Sequence, residues 1–299
     1  MSTPERIPLR GELRHNEPLA RHTSWRVGGP AARLYRPADA EDLANFLRGL
    51  PTEEPLLWIG LGSNLLVADE GFAGTVIETQ GCLAELVRIG PERLRAEAGV
   101  ASAKAARFAV RMGLTGIEFL AGIPGTIGGA LAMNAGAWGA ETWDFVSRVR
   151  TIDRAGKIHD HEPQDFKVDY RSVQGPPGEW FLSAELRLAP GDPEVGAAWI
   201  KELLTQRSAT QPTGSANCGS VFRNPPGDRA ARLIDSAGLK GVSVGGAVVS
   251  EKHANFIINR GDATAADILA LIERVQDEVE QKHGIRLSPE VHRVGGEQA

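Results

Sequence analysis

Apolar positions along the chain fall into two periodicities. Leu43, Phe46, Leu47 and Leu50 recur at i, i+3, i+4 and i+7, which predicts a helix with one buried stripe. Asp39 is its expected N-cap, and Gly49 or Pro51 its stop. Short apolar runs at Leu56–Ile59 and Thr75–Glu78 predict strands, giving a first lobe of βαβ type. A second lobe begins near Leu83, with strands at Leu86–Ile89 and Leu94–Ala98 around a turn at Pro91. Ser102 is the expected cap of a helix through Met112 that stops at Gly113. Val146–Asp153 and Lys157–His161 suit a hairpin around Arg154-Ala155-Gly156, and Trp180–Leu188 a further strand. Gly175-Pro176-Pro177-Gly178 reads as turn or loop.

Beyond these, Glu194–Arg207 predicts a linking helix with Val195, Trp199 and Leu203 on one face, and Gln211-Pro212-Thr213-Gly214 marks a boundary. A helix near Arg229–Ala237 follows, then strands around Val248 and Asn255–Asn259. The last helix carries the stripe Ile268, Leu271, Ile272, Val275 and Val279, stopped by Gly284. Strands and helices recur without strict alternation and without internal repeats, so the class expected is α+β.

The 299 residues suffice for two or three compact lobes, and 42% hydrophobic content supplies ordinary cores. A net charge of -5 argues against non-specific nucleic-acid binding. Cys82 and Cys218 lie far apart, match no metal or redox spacing, and imply a reduced, cytoplasmic protein with no metal site. Residues 1–14 are polar and broken by Pro4 and Pro8, unlike a secretory signal. Phe119–Ala140 is uncharged, but Pro124, Asn134 and many glycines make it a buried glycine-rich loop and short apolar element, with no membrane insertion expected.

Two glycine-rich segments carry the chemistry. The first, Gly60-Leu61-Gly62-Ser63-Asn64-Leu65, follows a predicted strand. Glycine lets main chain approach an anion and present N–H groups, and Ser63 and Asn64 add donors. It is neither a dinucleotide fingerprint nor a P-loop, and alone it reads better as a structural turn than as an anion site. The second runs Gly122-Ile123-Pro124-Gly125-Thr126-Ile127-Gly128-Gly129 and on to Asn134-Ala135-Gly136. It is either a tightly packed turn or a backbone wall for a flat ring and its pyrophosphate. Together the two resemble the flavin-lining loops of the vanillyl-alcohol-oxidase superfamily. That resemblance implies a two-lobed FAD-binding domain, with FAD held non-covalently because Ser63 and Asn64 stand where other members carry an anchoring His or Cys.

Within that superfamily the chain resembles the UDP-N-acetylenolpyruvoylglucosamine reductase (UDP-N-acetylmuramate dehydrogenase) family almost end to end. The carrying motifs are Asn16–Pro18, Thr23–Pro30, the Gly60 loop, Glu118–Gly125, Asp169-Tyr170-Arg171, Cys218–Pro225, Ser250–Phe256 and Pro289-Glu290-Val291. The short connection from Arg171 to Trp180 places it with the shorter subtype. The resemblance implies an FAD domain over 1–205, with lobes of about 1–82 and 83–205, and a smaller α+β substrate-binding domain over 206–299. It implies NADPH as co-substrate, a UDP-sugar as substrate and no obligate protein partner.

By family position the catalytic residues are Arg171, Ser220 and Glu290. Read alone, each is ordinary: a surface arginine, a turn hydroxyl and a solvated carboxylate near the C-terminus. The implied reaction sends hydride to C3 of the enolpyruvyl ether and a proton from Ser220 to C2. Arg171 meets the charge developing on the carboxylate. Glu290 polarises or protonates that carboxylate, or orients Arg171. Tyr170, Arg223, Asn224 and His253 are the expected substrate contacts. Another flavin oxidoreductase of the same fold would have no reason to carry Gly219-Ser220 and Pro289-Glu290.

Overall fold

Local sequence explains most of the elements. The computed structural model describes residues 8–296. Helix α1 spans Ala40–Arg48, and the Asp39 carboxylate caps it by accepting from the Asp42 N–H. Leu43, Phe46 and Leu47 face inward, and Gly49 closes the helix as expected. Phe46 stacks on Tyr35 with ring centroids 3.7 Å apart.

By its contacts the chain divides into two units. The first comprises the segment ending at His15, Arg33–Gly60 and Gly74–Ile200. The second comprises Asn16–Ala32, Leu61–Ala73 and the segment from Lys201. The linear reading of 1–205 and 206–299 therefore meets an interleaved arrangement. The cause is visible in the second unit: buried Trp25 donates its indole N–H to the Ile257 carbonyl at 2.8 Å. In return the Asn259 amide donates to the Trp25 carbonyl at 2.8 Å.

The first unit carries most of a four-stranded sheet, ordered Glu12–Pro18, Pro30–Arg36, Phe72–Glu78, Leu56–Ile59. It also holds a five-stranded antiparallel sheet, ordered Ile158–His161, Val146–Asp153, Glu179–Arg187, Arg93–Glu97, Leu86–Gly90. Tyr35, Leu43, Leu47, Ile77, Ile152 and Leu182 form one core between these sheets and α1. Burying each such aliphatic side chain is worth about 1.5–3 kcal/mol. Helix α2 spans Ser102–Arg111, but Ala101 holds the cap position and no side chain caps it. Ser102 is instead its first residue, with a buried hydroxyl that has no hydrogen-bond partner. The uncharged stretch supplies all but the first residue of a 3-10 turn, Glu118–Gly122, and the whole of helix α3, Ile127–Ala132.

Helix α4 spans Pro193–Thr210, and the boundary between the units falls within it. Its inward face differs from the expected one. Leu203 is buried, with Ile200 and Gly196, whereas Val195 and Trp199 are 67% and 47% exposed. Gly196 decides this, because a Cβ there would lie 2.9 Å from the Val110 methyls. The face without a side chain is the one that approaches closely.

The second unit contains α5, Ala230–Ser236, and α6, Ala265–His283. Thr264 and Asp267 form a capping box at the start of α6, and left-handed Gly284 ends it. The stripe Ile268, Leu271, Ile272, Val275 and Val279 is buried in one cluster with Trp25, as the periodicity predicts. A three-stranded sheet of Ser243–Val244, Ala247–Val249 and Ile257–Asn259 packs here, and Leu65–Val67 pairs in parallel with His292–Val294. No helix of the described residues is long and apolar enough to cross a membrane.

Buried Asp42 tests the packing of α1. Its carboxylate accepts from the Tyr35 hydroxyl at 2.5 Å and from the N–H groups of Arg10 and Ala38 at 2.7 and 2.9 Å. Burial pushes its pKa up, but these donors outweigh burial and hold the carboxyl below its ordinary value. A depressed carboxylate stabilises the fold above its unfolded pKa, and that stability is lost as pH falls through the folded value. We predict that Asp42→Asn costs about 1–3 kcal/mol at neutral pH. The gap in Tm between parent and variant should shrink below about pH 4. Calorimetry at neutral and acid pH checks this, and a gap independent of pH contradicts it.

Candidate functional site

The second glycine-rich segment is built as a wall. Gly60 sits where a Cβ would lie 2.3 Å from the Thr126 hydroxyl oxygen, so only glycine permits this approach. A Cβ on Gly128 would likewise lie 2.9 Å from that of Ala98. Thr126 caps α3 by accepting from the Gly129 N–H at 3.5 Å. The N–H groups of Ile127 and Gly128 donate to the carbonyls of Val100 and Ala98 at 2.8 and 2.9 Å. Upstream, the Gly125 carbonyl accepts from the Ser102 N–H, and Ile123 donates to Leu120. These three N–H groups of α3 are thus committed to protein partners, and the glycines serve close approach.

Beside this wall, wholly within the first unit, is a cavity of about 280 Å³. Trp58, Trp180 and Phe166 line it together with the main chain of Gly60, Gly128 and Gly129. Trp58 and Trp180 stack at 5.2 Å between centroids. The Trp58 indole N–H is buried with no hydrogen-bond partner. Glu179, also in the lining, accepts from the Thr151 hydroxyl at 2.5 Å and contacts His161 Nε2 at 2.8 Å through the same oxygen. Burial raises its pKa, but Thr151 and His161 outweigh burial and keep the carboxyl below its usual range. The sequence pattern singled out the glycines of this wall but neither Trp58 nor Trp180, because the two tryptophans sit on distant strands that only the folded sheets bring together.

Arg171 follows Tyr170 in the two-residue loop of a hairpin, Lys167–Asp169 with Ser172–Gln174. Its φ is +54°, an uncommon conformation for a residue with a Cβ. The guanidinium donates to the Asn134 carbonyl at 3.2 Å and to the Gly136 carbonyl at 2.7 Å. It lies 5.0 Å from the centre of the half-exposed Tyr170 ring. The neighbouring Ala135 carbonyl accepts from the hydroxyl and the N–H of Thr142. The family resemblance implies Asn134, Ala135 and Gly136 beside a flavin; in the fold, the carbonyls of the first and last of them accept from Arg171.

The second unit brings Ser220 and Glu290 onto neighbouring segments. Phe222 bridges to Pro289, and the Glu290 N–H donates to the Val221 carbonyl at 2.7 Å. Ser220 is half-buried and follows left-handed Gly219. The Asn64 amide donates to the Glu290 carbonyl at 3.1 Å, and the Asn64 carbonyl accepts from the His292 N–H at 2.9 Å. Leu65 pairs opposite His292, and the Gly62 carbonyl accepts from Ser24. Ser63 lies in the same turn, and its loop thereby braces Glu290. Asn255 clamps the Ser220 side by donating to the Phe222 carbonyl and accepting from its N–H, at 2.8 and 2.9 Å. Its place in a motif was legible, but this role was not. Beside Ser220, burial and then the Glu290 charge push the Cys218 thiol pKa well up.

The expected substrate contacts spread over the same unit, Tyr170 excepted. The Arg223 N–H donates to the Ser288 carbonyl at 2.9 Å. The Asn224 side-chain oxygen accepts from Ala230 at 3.1 Å, at the start of α5. His253 stands edge-on to Phe256 at 4.7 Å, and its Nδ1 accepts from the Asn255 N–H at 3.3 Å. The neutral ring then carries its proton on Nε2, and burial lowers its pKa to favour that form.

Residues 31–162 match the family described as FAD binding domain, and residues 211–294 the family described as UDP-N-acetylenolpyruvoylglucosamine reductase, C-terminal domain. A UDP-N-acetylenolpyruvoylglucosamine reductase of Alkalilimnicola ehrlichii is 61% identical over 299 residues, covering 100% of both chains. A protein of that name from Methylococcus capsulatus is 59% identical over 98% of this chain and 96% of its own. The crystal structure of the corresponding reductase from Thermus caldophilus superposes with a TM-score of 0.82 at 35% identity, over 96% of this chain and 99% of that one. The α+β class and the flavin-binding type of fold expected from the sequence agree with that match. Identity of this extent, sustained from end to end and accompanied by the same fold, has one explanation: the chain belongs to the UDP-N-acetylenolpyruvoylglucosamine reductase family.

Proposed function

We propose that this protein is the NADPH-dependent FAD enzyme that reduces the enolpyruvyl group of UDP-N-acetylenolpyruvoylglucosamine to UDP-N-acetylmuramate, a step of peptidoglycan precursor synthesis in the cytoplasm. The observation that carries this reading is full-length identity of 61% with a relative of that name. The chemistry of Arg171, Ser220 and Glu290 supports it.

The first unit fits a flavin cofactor. Its glycine wall at Gly60, Gly128 and Gly129 admits close approach, and the buried Trp58 N–H offers a hydrogen bond that only an added group would accept. The residues assigned to the cofactor further include Gly122–Thr126 and Asn134–Gly136 of the second loop, and Gly62–Leu65 of the first, which fall in the second unit. Neither loop carries a Cys or His beside Asn64, so binding is non-covalent in this reading. Bound FAD would supply hydride transfer from NADPH to C3 of the enolpyruvyl ether.

The protein's own residues manage charge and protons. Hydride addition at C3 places electron density on C2 and its carboxylate. Arg171 meets that carboxylate with its planar, two-pronged guanidinium, and the contact strengthens as charge develops. Glu290 polarises or protonates the same carboxylate. Ser220 gives its proton to C2. Serine is a weak acid, and a positioned donor of this kind is worth about 10²–10⁴ in rate. Tyr170, Arg223, Asn224 and His253 hold the UDP-sugar in this reading.

Two outcomes test it. Ser220→Ala should let NADPH bleach the flavin at close to the parental rate, while recovery of colour on adding the enolpyruvyl sugar slows by about 10²–10⁴. Stopped-flow absorbance separates the halves. Equal slowing of both would make Ser220 a shaping residue, and no slowing would make it a turn hydroxyl. Arg171→Lys should also recover slowly, by about 10²–10³, because an ammonium lacks the fork. A lysine enzyme at parental speed would show that a point charge suffices.

A further inference from the structure

Asn134 was expected among the flavin contacts, yet its side chain is otherwise employed. It is 2% exposed and sits at φ +40°, a left-handed conformation that asparagine tolerates better than most residues. Its Nδ2 donates to the Glu141 carboxylate at 2.7 Å and to the Asp169 carbonyl at 3.3 Å. Its Oδ1 accepts from the Trp143 N–H at 3.2 Å. Both donors of the amide are therefore spent on protein partners. Its main-chain carbonyl, as described above, accepts from Arg171.

These bonds meet on Arg171 from two directions. Asp169 is the residue that opens the loop Tyr170-Arg171, so the amide fixes the hairpin at its root. The Asn134 and Gly136 carbonyls fix the guanidinium at its tip. Glu141, which anchors the amide, pairs directly opposite Gly136. A single asparagine thus ties the hairpin root, the arginine tip and the strand that supplies the second carbonyl. Arg171 needs such a hold, because a left-handed residue with a Cβ relaxes unless its surroundings fix it.

We infer that Asn134 is a positioning residue for Arg171, setting where the guanidinium meets the substrate carboxylate. The inference rests on the proposed role of Arg171 and goes beyond it by naming what holds that group in register. A displacement of the order of 1 Å in such a group costs about 10²-fold in rate. Flavin binding through the glycine wall is left intact.

Asn134→Gly is the direct test, since glycine takes the positive φ without strain and removes only the amide. Asn134→Asp keeps the volume and the acceptor for Trp143, loses both donors and sets a second carboxylate against Glu141, so it gives a second reading if the glycine variant fails to fold, with slowing at least as large. Each holoenzyme is assayed for FAD per chain, bleaching by NADPH, colour recovery with the enolpyruvyl sugar, and calorimetric affinity for UDP-N-acetylmuramate. We expect unchanged FAD content and bleaching, with recovery slowed about 10–10²-fold and product binding weakened. In an Arg171→Ala background, Asn134→Gly should add no further slowing, because the group it positions is gone. The same slowing in both backgrounds, equal slowing of both half-reactions, or parental recovery overturns the inference alone. Parental recovery in Arg171→Ala itself overturns the assigned role of Arg171, and the inference with it.

Discussion

Glycine main chain packed directly against its neighbours, with no room for a Cβ of its own, is the constraint on which this architecture rests. At Gly60 and Gly128 the space for a Cβ is already taken, by Thr126 and by Ala98. The strand Leu56–Ile59 therefore runs straight into contact with the start of α3. Replacing either glycine would push these elements apart and open the wall of the adjoining cavity. Close packing of this kind admits no continuous adjustment, because interiors near crystal density transmit any added volume to their neighbours. The glycines lose more conformational entropy on folding than other residues do, and the close approach at the wall is what they allow in exchange.

The polar groups around the wall follow from the same tightness. Where side chains are absent, hydrogen bonding falls to the main chain, and each glycine-rich loop ends by holding a residue of chemical interest within its own unit. The Asn134 and Gly136 carbonyls hold Arg171. The Asn64 amide holds the main chain of Glu290. Loops that read as cofactor contacts therefore also set the geometry of the residues assigned to the reaction. Preorganisation of this sort is what electrostatic catalysis requires, since donors that must first reorient lose much of their benefit.

How much of this was legible depended on whether the deciding interaction was local. Helix α1 was readable because Asp39, Leu43, Phe46 and Leu47 settle it among themselves. The inward face of α4 was misread because Val195 and Trp199 are periodic and apolar, while the deciding fact is the room Gly196 makes for Val110. The interleaving of the units was hidden for the same reason, since Trp25 finds Ile257 only across the folded chain. In the site, motif resemblance pointed to Arg171, Ser220 and Glu290, which are short strings of distinctive residues. It gave no sign of the Trp58 and Trp180 wall or of the grip on Arg171, because aromatic neighbours on separate strands and contacts to carbonyl oxygen leave no local pattern.

The central claim, that this chain carries hydride through a bound flavin from a nicotinamide to an enolpyruvyl sugar, is tested most directly by anaerobic titration of the purified holoprotein. Visible absorbance is followed while NADPH and then UDP-N-acetylenolpyruvoylglucosamine are added in equimolar amounts. The account predicts a yellow protein that bleaches with the first addition and regains its full spectrum with the second, with UDP-N-acetylmuramate formed. A protein that stays colourless after incubation with FAD, or a bleached flavin that the sugar fails to restore, would contradict it.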